Sequence, residues 1–171
     1  TRQGAQYGSL TTPDPLALHR TLNTLAGHGC THLAIEASSH GLDQRRLDGL
    51  RLSAGAFTNL GRDHLDYHPT VEEYLDAKLR LFRELLPITA PVIINMDGER
   101  AGDVLAMCAA RGLKTFTTGK QGEHLRLLSV NKQAFGQKLD LAYQAHVWQV
   151  ELPLIGDFQI ENALVAAGFA L

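Results

Sequence analysis

The chain reads SAGAFTN at residues 53–59, TVEEYLDAKLRLFRELL at 70–86 and PVIINM at 91–96, and these three stretches decide the fold. The first and third are short apolar runs, which are typical of buried strands. The middle stretch opens with Thr70 and Glu73, the pair that forms a helix capping box, and its apolar residues recur at helical spacing. A strand, a helix and a second strand in succession predict a βαβ unit with parallel strands.

The same alternation continues outward from this unit. Further helices are predicted at residues 15–26, 99–111 and 157–171, further strands at 31–37 and 113–117, and antiparallel strands over 125–152. The sequence therefore predicts one α/β domain over residues 1–171, with a mostly parallel sheet flanked by helices and a small antiparallel portion near 122–153. Ligands in such folds bind at the carboxyl ends of the parallel strands, so site residues are expected just after residues 37, 59 and 96.

Composition limits the classes of protein to which the chain can belong. Of its 171 residues 44% are hydrophobic and 20% are charged, which is typical of a soluble globular protein. The net charge of -2 gives no basic surface for nucleic acid, and no apolar run is long enough for membrane insertion. Cys30 and Cys108 lack the spacing of a metal site, so two reduced thiols in a cytoplasmic protein are expected.

A polar loop is predicted at residues 38–46, after the predicted strand 31–37. Glu36 lies at the end of that strand, where a carboxylate can hold a Mg²⁺ ion that bridges nucleotide phosphates; a strand end in water is the simpler alternative. The side chains that follow are polar or cationic: Ser38, Ser39, His40, Gln44, Arg45 and Arg46. Amide and guanidinium groups in one loop favour an anionic ligand.

A second polar cluster, TNLGRDHLDYH at residues 58–68, follows the predicted strand 53–59. Residues 62–68 alone contain two histidines, two aspartates and an arginine. Imidazole and carboxylate groups are good ligands for divalent metals. A solvated loop with a capping carboxylate is the alternative, because the spacing matches no stand-alone zinc motif.

Lys78 interrupts the apolar stripe of the helix predicted at 70–86, between Tyr74 and Phe82. A lysine in such a position either extends its amine to the surface or is held inside for a purpose. Desolvation lowers the pKa of a lysine, and a neutral amine reacts with carbon dioxide to form a carbamate, which is an anionic metal ligand.

The segment LIGDFQIEN at residues 154–162 is a glycine turn that leads into a helix with amide side chains in its first turns. Such amides could hold the edge of a purine, although Asn162 could equally be an ordinary surface residue. The sequence contains no G-x-x-x-x-G-K-[ST] phosphate-binding loop, which excludes a self-sufficient NTPase of that class.

Five motifs in this order resemble the Mur ligase family: EASSHGLDQRRL, FTNLGRDHLDYH, EEYLDAKLRLF, INMDGE and GDFQIENALVAA. The variants ASSHGL-x-Q-x-R and TNL-x-RDHLDYH look most like the MurE branch, the UDP-N-acetylmuramoyl-tripeptide synthetases. The resemblance covers residues 11–171 and implies a P-loop-NTPase-like central domain of a three-domain, ATP-dependent amide ligase. In that family ATP phosphorylates a carboxylate of a UDP-N-acetylmuramoyl dipeptide, and the amine of a diamino acid attacks the acyl phosphate during peptidoglycan biosynthesis.

The resemblance also implies roles for individual residues. Glu36 would hold one Mg²⁺ ion, and His64 together with a carbamylated Lys78 would hold a second. Asn162 would lie near the adenine of ATP, although the family often has Asn where Gln159 stands. The residues that would bind the UDP-N-acetylmuramoyl dipeptide are Thr11, Thr12, Ser38, Gln44 and Arg46.

The resemblance implies that the chain is an inactive fragment without its phosphate-binding loop, its UDP-binding N-terminal domain and its C-terminal domain. Meso-diaminopimelate and L-lysine both remain open as the diamino acid, with diaminopimelate favoured by its frequency in the family. A folylpolyglutamate or cyanophycin synthetase-like ligase is an alternative that fits SSHGL-x-Q-x-R less well. A non-catalytic α/β binding module is a further alternative, but it has little use for a lysine on an apolar stripe.

Overall fold

The computed structural model describes residues 11–61 and 67–171, and the chain divides into two compact units. One comprises residues 1–51 and 64–81, and the other comprises residues 52–63 and 82–171. The first unit is built from helices and the second around a sheet. None of the described helices combines the length and the apolar character that crossing a membrane requires.

The first unit contains the helices α1 (Pro15–Gly27), α2 (Ser39–Asp43) and α3 (Val71–Arg80). The Asp14 carboxylate caps α1 by accepting a hydrogen bond from the Ala17 N–H at 3.0 Å. Thr70 caps α3 in the same way, since its hydroxyl accepts from the Glu73 N–H at 3.2 Å, as the capping-box motif predicts. Local side chains therefore fix where both helices begin.

Two predictions for the first unit are wrong. Residues 31–37 do not form a strand: no described strand pairs with them, and Leu33 is 50% exposed. A strand requires a neighbour that satisfies its backbone N–H and C=O groups, and an apolar run alone does not supply one. Residues 38–46 are not simply a loop, because the Ser38 hydroxyl accepts from the Gly41 N–H at 3.1 Å and so caps α2.

The second unit contains a six-stranded sheet in the order β1 to β6. The strands are β1 (Gly55–Phe57), β2 (Val92–Asn95), β3 (Thr115–Gly119), β4 (Leu125–Gln133), β5 (Gly136–Tyr143) and β6 (His146–Leu152). β1 to β4 pair in parallel, whereas β4, β5 and β6 pair antiparallel. This arrangement confirms the predicted mostly parallel sheet with its antiparallel portion.

Two α-helices, α4 (Ala101–Arg111) and α5 (Asp157–Ala170), accompany this sheet. α4 ends at Gly112, whose φ of 73° is left-handed and suits glycine. α5 packs on the antiparallel portion through Ile160 and Leu164. These two residues share one apolar cluster with Leu125, Leu127, Leu139 and Leu141. Burial of each such side chain stabilises the fold by about 1.5–3 kcal/mol, so this cluster fixes the position of α5.

A π-helical turn at Leu81–Leu85 replaces the last α-helical turn predicted for residues 70–86. The Arg111 guanidinium donates a hydrogen bond to the carbonyl oxygen of Phe82, inside this turn. Phe82 stands in the last turn of this helix, where carbonyl groups lack a helical N–H partner, and Arg111 satisfies one of these carbonyls.

Candidate functional site

Thr12 is fully buried at the centre of a hydrogen-bond network in the first unit. Its hydroxyl donates to the Glu36 carbonyl oxygen at 2.8 Å and accepts from the Ser38 N–H at 3.0 Å. Because its single hydrogen is used on a carbonyl, the Ser38 hydroxyl, at 2.9 Å, must donate to Thr12. All hydrogen-bonding positions of the Thr12 hydroxyl are therefore filled, and it holds the segment after Glu36 against the segment before α1.

Gly41 packs so closely on Thr12 that a side chain has no room. A Cβ at this position would lie 2.7, 2.7 and 2.9 Å from three atoms of the Thr12 side chain. We therefore expect Gly41→Ala to destabilise the fold by about 1–3 kcal/mol, the usual cost of overpacking. That cost exceeds the roughly 0.5–1 kcal/mol by which alanine stabilises a helix relative to glycine.

Urea-induced unfolding of this chain checks the prediction for Gly41→Ala. Gly102→Ala in α4 is the matched control, because a Cβ there meets no atom within 4 Å. The control should be neutral or slightly stabilising. If both variants unfold at the same urea concentration as the unaltered chain, the close packing of Gly41 on Thr12 is wrong.

Arg46 extends the network, and its partners among the described residues are neutral. Its Nη1 donates to the Thr12 carbonyl oxygen at 2.8 Å, and its Nε and Nη2 donate to Gln44 Oε1 at 3.2 and 2.6 Å. Both acceptors are neutral, and no carboxylate of the described residues pairs with Arg46. Arg45 differs, since it pairs with Asp48 at 3.3 Å. Arg46 is therefore the arginine of this segment whose charge is open to an anion.

Tyr67 and Asp43 belong to the same network, although neither is predicted from the sequence as a site residue. The Tyr67 hydroxyl lies 2.7 Å from Asp43 Oδ2 and 3.1 Å from Gln44 Nε2. Both residues stand within the motifs quoted above. They are 24 positions apart in the sequence, however, and such a separation gives no sign of contact.

Lys78 lies half-buried on α3, with its Nζ 5.3 Å from the centroid of the Tyr74 ring. Burial lowers the pKa of Lys78, and the negative charge of Glu36 opposes this effect by favouring the ammonium form. Burial has the larger effect, so Lys78 loses its proton more readily than an exposed lysine does. A neutral amine is the form that reacts with carbon dioxide.

Glu36 is exposed, and no described residue donates a hydrogen bond to its carboxylate. A carboxylate that is open to solvent is a hard oxygen ligand of the kind that Mg²⁺ prefers, so the side chain fits the expected ion. Within residues 11–61 and 67–171 no three His, Cys, Asp or Glu side chains form a group that could hold a metal. His64, the expected partner of Lys78 at the second ion, lies outside the described residues.

At the carboxyl end of β2, the buried Asn95 connects three segments of the second unit. Its Nδ2 donates to the Thr58 carbonyl oxygen at 2.9 Å and to Glu161 Oε2 at 3.2 Å, while its Oδ1 accepts from the Asp97 N–H at 3.2 Å. The Asp97 carboxylate accepts two backbone N–H groups that follow β3, at 2.7 and 3.0 Å. These hydrogen bonds join α5, through Glu161, to the carboxyl ends of the strands.

The structure brings four of the expected substrate-binding residues into one network: Thr12, Ser38, Gln44 and Arg46. Thr11 is exposed beside Thr12. Asn162 follows Glu161 on α5 in the second unit, and its side chain is exposed and so accessible to a ligand.

Curated relatives match the chain over nearly all of its length. The UDP-N-acetylmuramoyl-L-alanyl-D-glutamate--2,6-diaminopimelate ligase of Bradyrhizobium diazoefficiens is 54% identical over 169 residues, which cover 96% of this chain and 35% of the relative. The ligase of the same name from Brucella melitensis is 53% identical over 167 residues, which cover 98% of this chain and 34% of the relative. The chain therefore spans about a third of the length of these relatives.

A solved structure also shares the fold. It is a UDP-N-acetylmuramoyl-L-alanyl-D-glutamate--2,6-diaminopimelate ligase that superimposes with a TM-score of 0.81 at 34% identity, over 92% of this chain and 33% of that protein. The family model of the Mur ligase middle domain matches residues 1–170. The chain therefore belongs to the Mur ligase family, whose middle domain it matches.

Proposed function

We propose that the chain supplies part of the active site of an ATP-dependent amide ligase, which adds diaminopimelate to UDP-N-acetylmuramoyl-L-alanyl-D-glutamate in peptidoglycan biosynthesis. The observation that carries the proposal is the Arg46 guanidinium, which is held by two neutral acceptors and paired with no described carboxylate. A cation held in this way suits a substrate that carries carboxylates and a diphosphate. In this proposal residues 1–171 belong to the central domain of a longer, three-domain enzyme.

The substrate dipeptide is assigned to the network around Thr12. Arg46 would pair with an anionic group of the substrate, and Gln44 would orient the Arg46 guanidinium. The Ser38 hydroxyl donates to Thr12 and accepts from the Gly41 N–H, which leaves one acceptor position for the ligand. Thr12 would act mainly by holding this arrangement, because its hydroxyl is saturated, and the exposed Thr11 would offer its own hydroxyl to the substrate.

The chemical step is assigned to Lys78, Glu36 and His64. ATP and Mg²⁺, when bound, supply the phosphoryl group and the positive charge that stabilises the phosphoryl oxygens. The Glu36 carboxylate and a carbamate on Lys78, with His64, would hold these ions where the substrate carboxylate is phosphorylated. Phosphorylation of the carboxylate would release ADP. The neutral amine of diaminopimelate would then attack the acyl carbon, phosphate would leave, and the new amide nitrogen would lose a proton. Asn162 would contact the adenine.

The cytoplasm is the proposed location of this reaction. Cys30 and Cys108 are both free thiols, which is typical of a reducing compartment. Burial raises the pKa of the Cys108 thiol to about 11, so this cysteine is unreactive and has no part in the proposed chemistry.

A panel of substrates tests the reaction and its alternatives. The full-length enzyme is assayed for ADP release with UDP-N-acetylmuramoyl-L-alanyl-D-glutamate and either meso-diaminopimelate or L-lysine, and separately with a folate and glutamate. The names of the relatives favour diaminopimelate. Turnover with lysine alone would correct the choice of diamino acid, and turnover with folate alone would replace the proposed function with that of a folylpolyglutamate synthetase.

The chain by itself is expected to bind ATP weakly or not at all. Its sequence lacks the G-x-x-x-x-G-K-[ST] loop, whose backbone N–H groups hold the phosphates in P-loop enzymes. Titration calorimetry of this chain with ATP and Mg²⁺ measures the affinity. Binding in the micromolar range would contradict this expectation, because it would require a phosphate site elsewhere in residues 1–171.

A further inference from the structure

Tyr67 sets the direction of the hydrogen bonds that lead to Arg46. Its hydroxyl lies 2.7 Å from Asp43 Oδ2 and 3.1 Å from Gln44 Nε2. The Asp43 carboxylate can only accept, so the single hydrogen of the Tyr67 hydroxyl is donated to it. The phenol oxygen is then left to accept a hydrogen bond from the amide NH₂ of Gln44.

One orientation of the Gln44 amide follows from this direction. With the NH₂ group toward Tyr67, Gln44 Oε1 faces Arg46 and accepts from its Nε and Nη2 at 3.2 and 2.6 Å. A flipped amide would set NH₂ against the donors of the guanidinium, and its oxygen against a phenol oxygen whose hydrogen is already used. The series Asp43, Tyr67, Gln44 and Arg46, here called the relay, therefore has one arrangement of donors and acceptors.

The relay orients a cation without neutralising it. Two neutral side chains, Tyr67 and Gln44, separate the Asp43 carboxylate from the Arg46 guanidinium. A carboxylate in direct contact with Arg46 would fix the guanidinium equally well but would cancel the charge that an anionic ligand needs. Arg46 is also held on its other side, where Nη1 donates to the Thr12 carbonyl oxygen at 2.8 Å.

We propose that Tyr67 is a positioning residue for substrate binding. Acting through Gln44, it holds the Arg46 guanidinium in the orientation that receives an anionic group of the UDP-N-acetylmuramoyl dipeptide, and it does not itself touch the substrate. The proposal rests on the proposed function, because it requires that Arg46 binds this substrate.

Tyr67→Phe removes the hydroxyl and leaves the ring contacts in place. The Tyr67 ring centroid lies 3.9 Å from that of His40 and 4.7 Å from that of His68, and phenylalanine retains both contacts. In the full-length ligase we expect Tyr67→Phe to raise the KM for the UDP-N-acetylmuramoyl dipeptide roughly three- to tenfold, the usual range for one hydrogen bond. The kcat and the KM for ATP should stay unchanged.

Two further variants separate positioning from a general structural effect. In a Gln44→Met background the relay is already broken, so adding Tyr67→Phe should cause no further rise in the KM for the dipeptide. Tyr143→Phe is the matched control: this hydroxyl belongs to the second unit and accepts from Gln144 Nε2 at 2.9 Å, so its loss should leave both KM values unchanged.

The outcomes distinguish a failure of the role of Tyr67 from a failure of the proposed function. An unchanged KM for the dipeptide in Tyr67→Phe, while Arg46→Ala still raises it, would overturn the positioning role and leave the proposed function intact. Additive effects of Tyr67→Phe and Gln44→Met would also overturn it, because the two residues would then act independently. If Arg46→Ala itself had no effect, the assignment of the substrate site would fail together with the role of Tyr67.

Discussion

Lys78→Ala in the full-length ligase is expected to reduce the rate of ligation roughly a hundred- to a thousandfold. Loss of one group that stabilises charge in a transition state typically has an effect of about this size, roughly 2.7–4 kcal/mol. The half-buried amine has a lowered pKa, which suits it to carry a carbamate as an oxygen ligand for Mg²⁺. Steady-state release of ADP and formation of the tripeptide product measure the loss.

The fold should survive this substitution. Truncation of one helix side chain costs at most a few kcal/mol, and the contact of Lys78 Nζ with the Tyr74 ring contributes about 2 kcal/mol for a desolvated amine. Lys114→Ala replaces an exposed lysine of the second unit and should leave activity unchanged. Added short carboxylic acids should partly restore ligation in Lys78→Ala, because they supply the lost oxygen ligands. A well-folded and fully active Lys78→Ala enzyme would make Lys78 an ordinary side chain that extends to the surface.

Carbon-13 NMR with labelled carbon dioxide detects the carbamate itself. Only the neutral amine reacts, and the lowered pKa of Lys78 increases the neutral fraction at any given pH. At constant dissolved carbon dioxide, the carbamate resonance should therefore grow as the pH is raised, and Lys78→Ala should lack it.

Arg46→Ala in the full-length ligase is expected to raise the KM for the UDP-N-acetylmuramoyl dipeptide roughly 10- to 100-fold, which corresponds to about 1.5–3 kcal/mol for a hydrogen bond to a charged group. The KM for ATP should change much less, because the guanidinium is assigned to the dipeptide and not to the nucleotide. Steady-state kinetics with each substrate varied in turn provide both constants. An equal rise in both KM values would contradict the assignment.

Arg45→Ala is the matched control for Arg46→Ala. Arg45 is adjacent in the sequence, but it pairs with Asp48 at 3.3 Å and its side chain is 69% exposed. Asp48 also binds Arg80 at 2.6 Å, so it keeps a partner when Arg45 is removed. Arg45→Ala should therefore leave the KM for the dipeptide unchanged. If Arg45→Ala raised the KM for the dipeptide as much as Arg46→Ala does, the substrate would be responding to the total charge of the two arginines and not to Arg46 alone.

Most of the fold could be predicted from the sequence because its signals are local. The Thr70 capping box, the apolar run of β2 and Gly112 at the end of α4 each specify an element within a few residues. The errors arose where a distant partner decides the outcome. Residues 31–37 carry the apolar pattern of a strand but have no described strand beside them.

Some residues of the candidate site could be predicted from the local sequence, whereas others depend on contacts between distant segments. Residue type and spacing indicated Lys78 as unusual and the segment at 44–46 as suited to an anion. The sequence could not separate Arg45 from Arg46, because the difference lies in their partners, a carboxylate for one and neutral groups for the other. Tyr67 was missed for the same reason, since its contacts with Asp43 and Gln44 join segments far apart in the chain.

A crystal structure of the full-length ligase with UDP-N-acetylmuramoyl-L-alanyl-D-glutamate, ADP and Mg²⁺ tests the central claim most directly. We expect an anionic group of the substrate within hydrogen-bond distance of the Arg46 guanidinium, about 3 Å, and a carbamate on Lys78 that binds Mg²⁺. A substrate bound elsewhere, with Arg46 in solvent and an unmodified Lys78 away from the metal, would contradict the account.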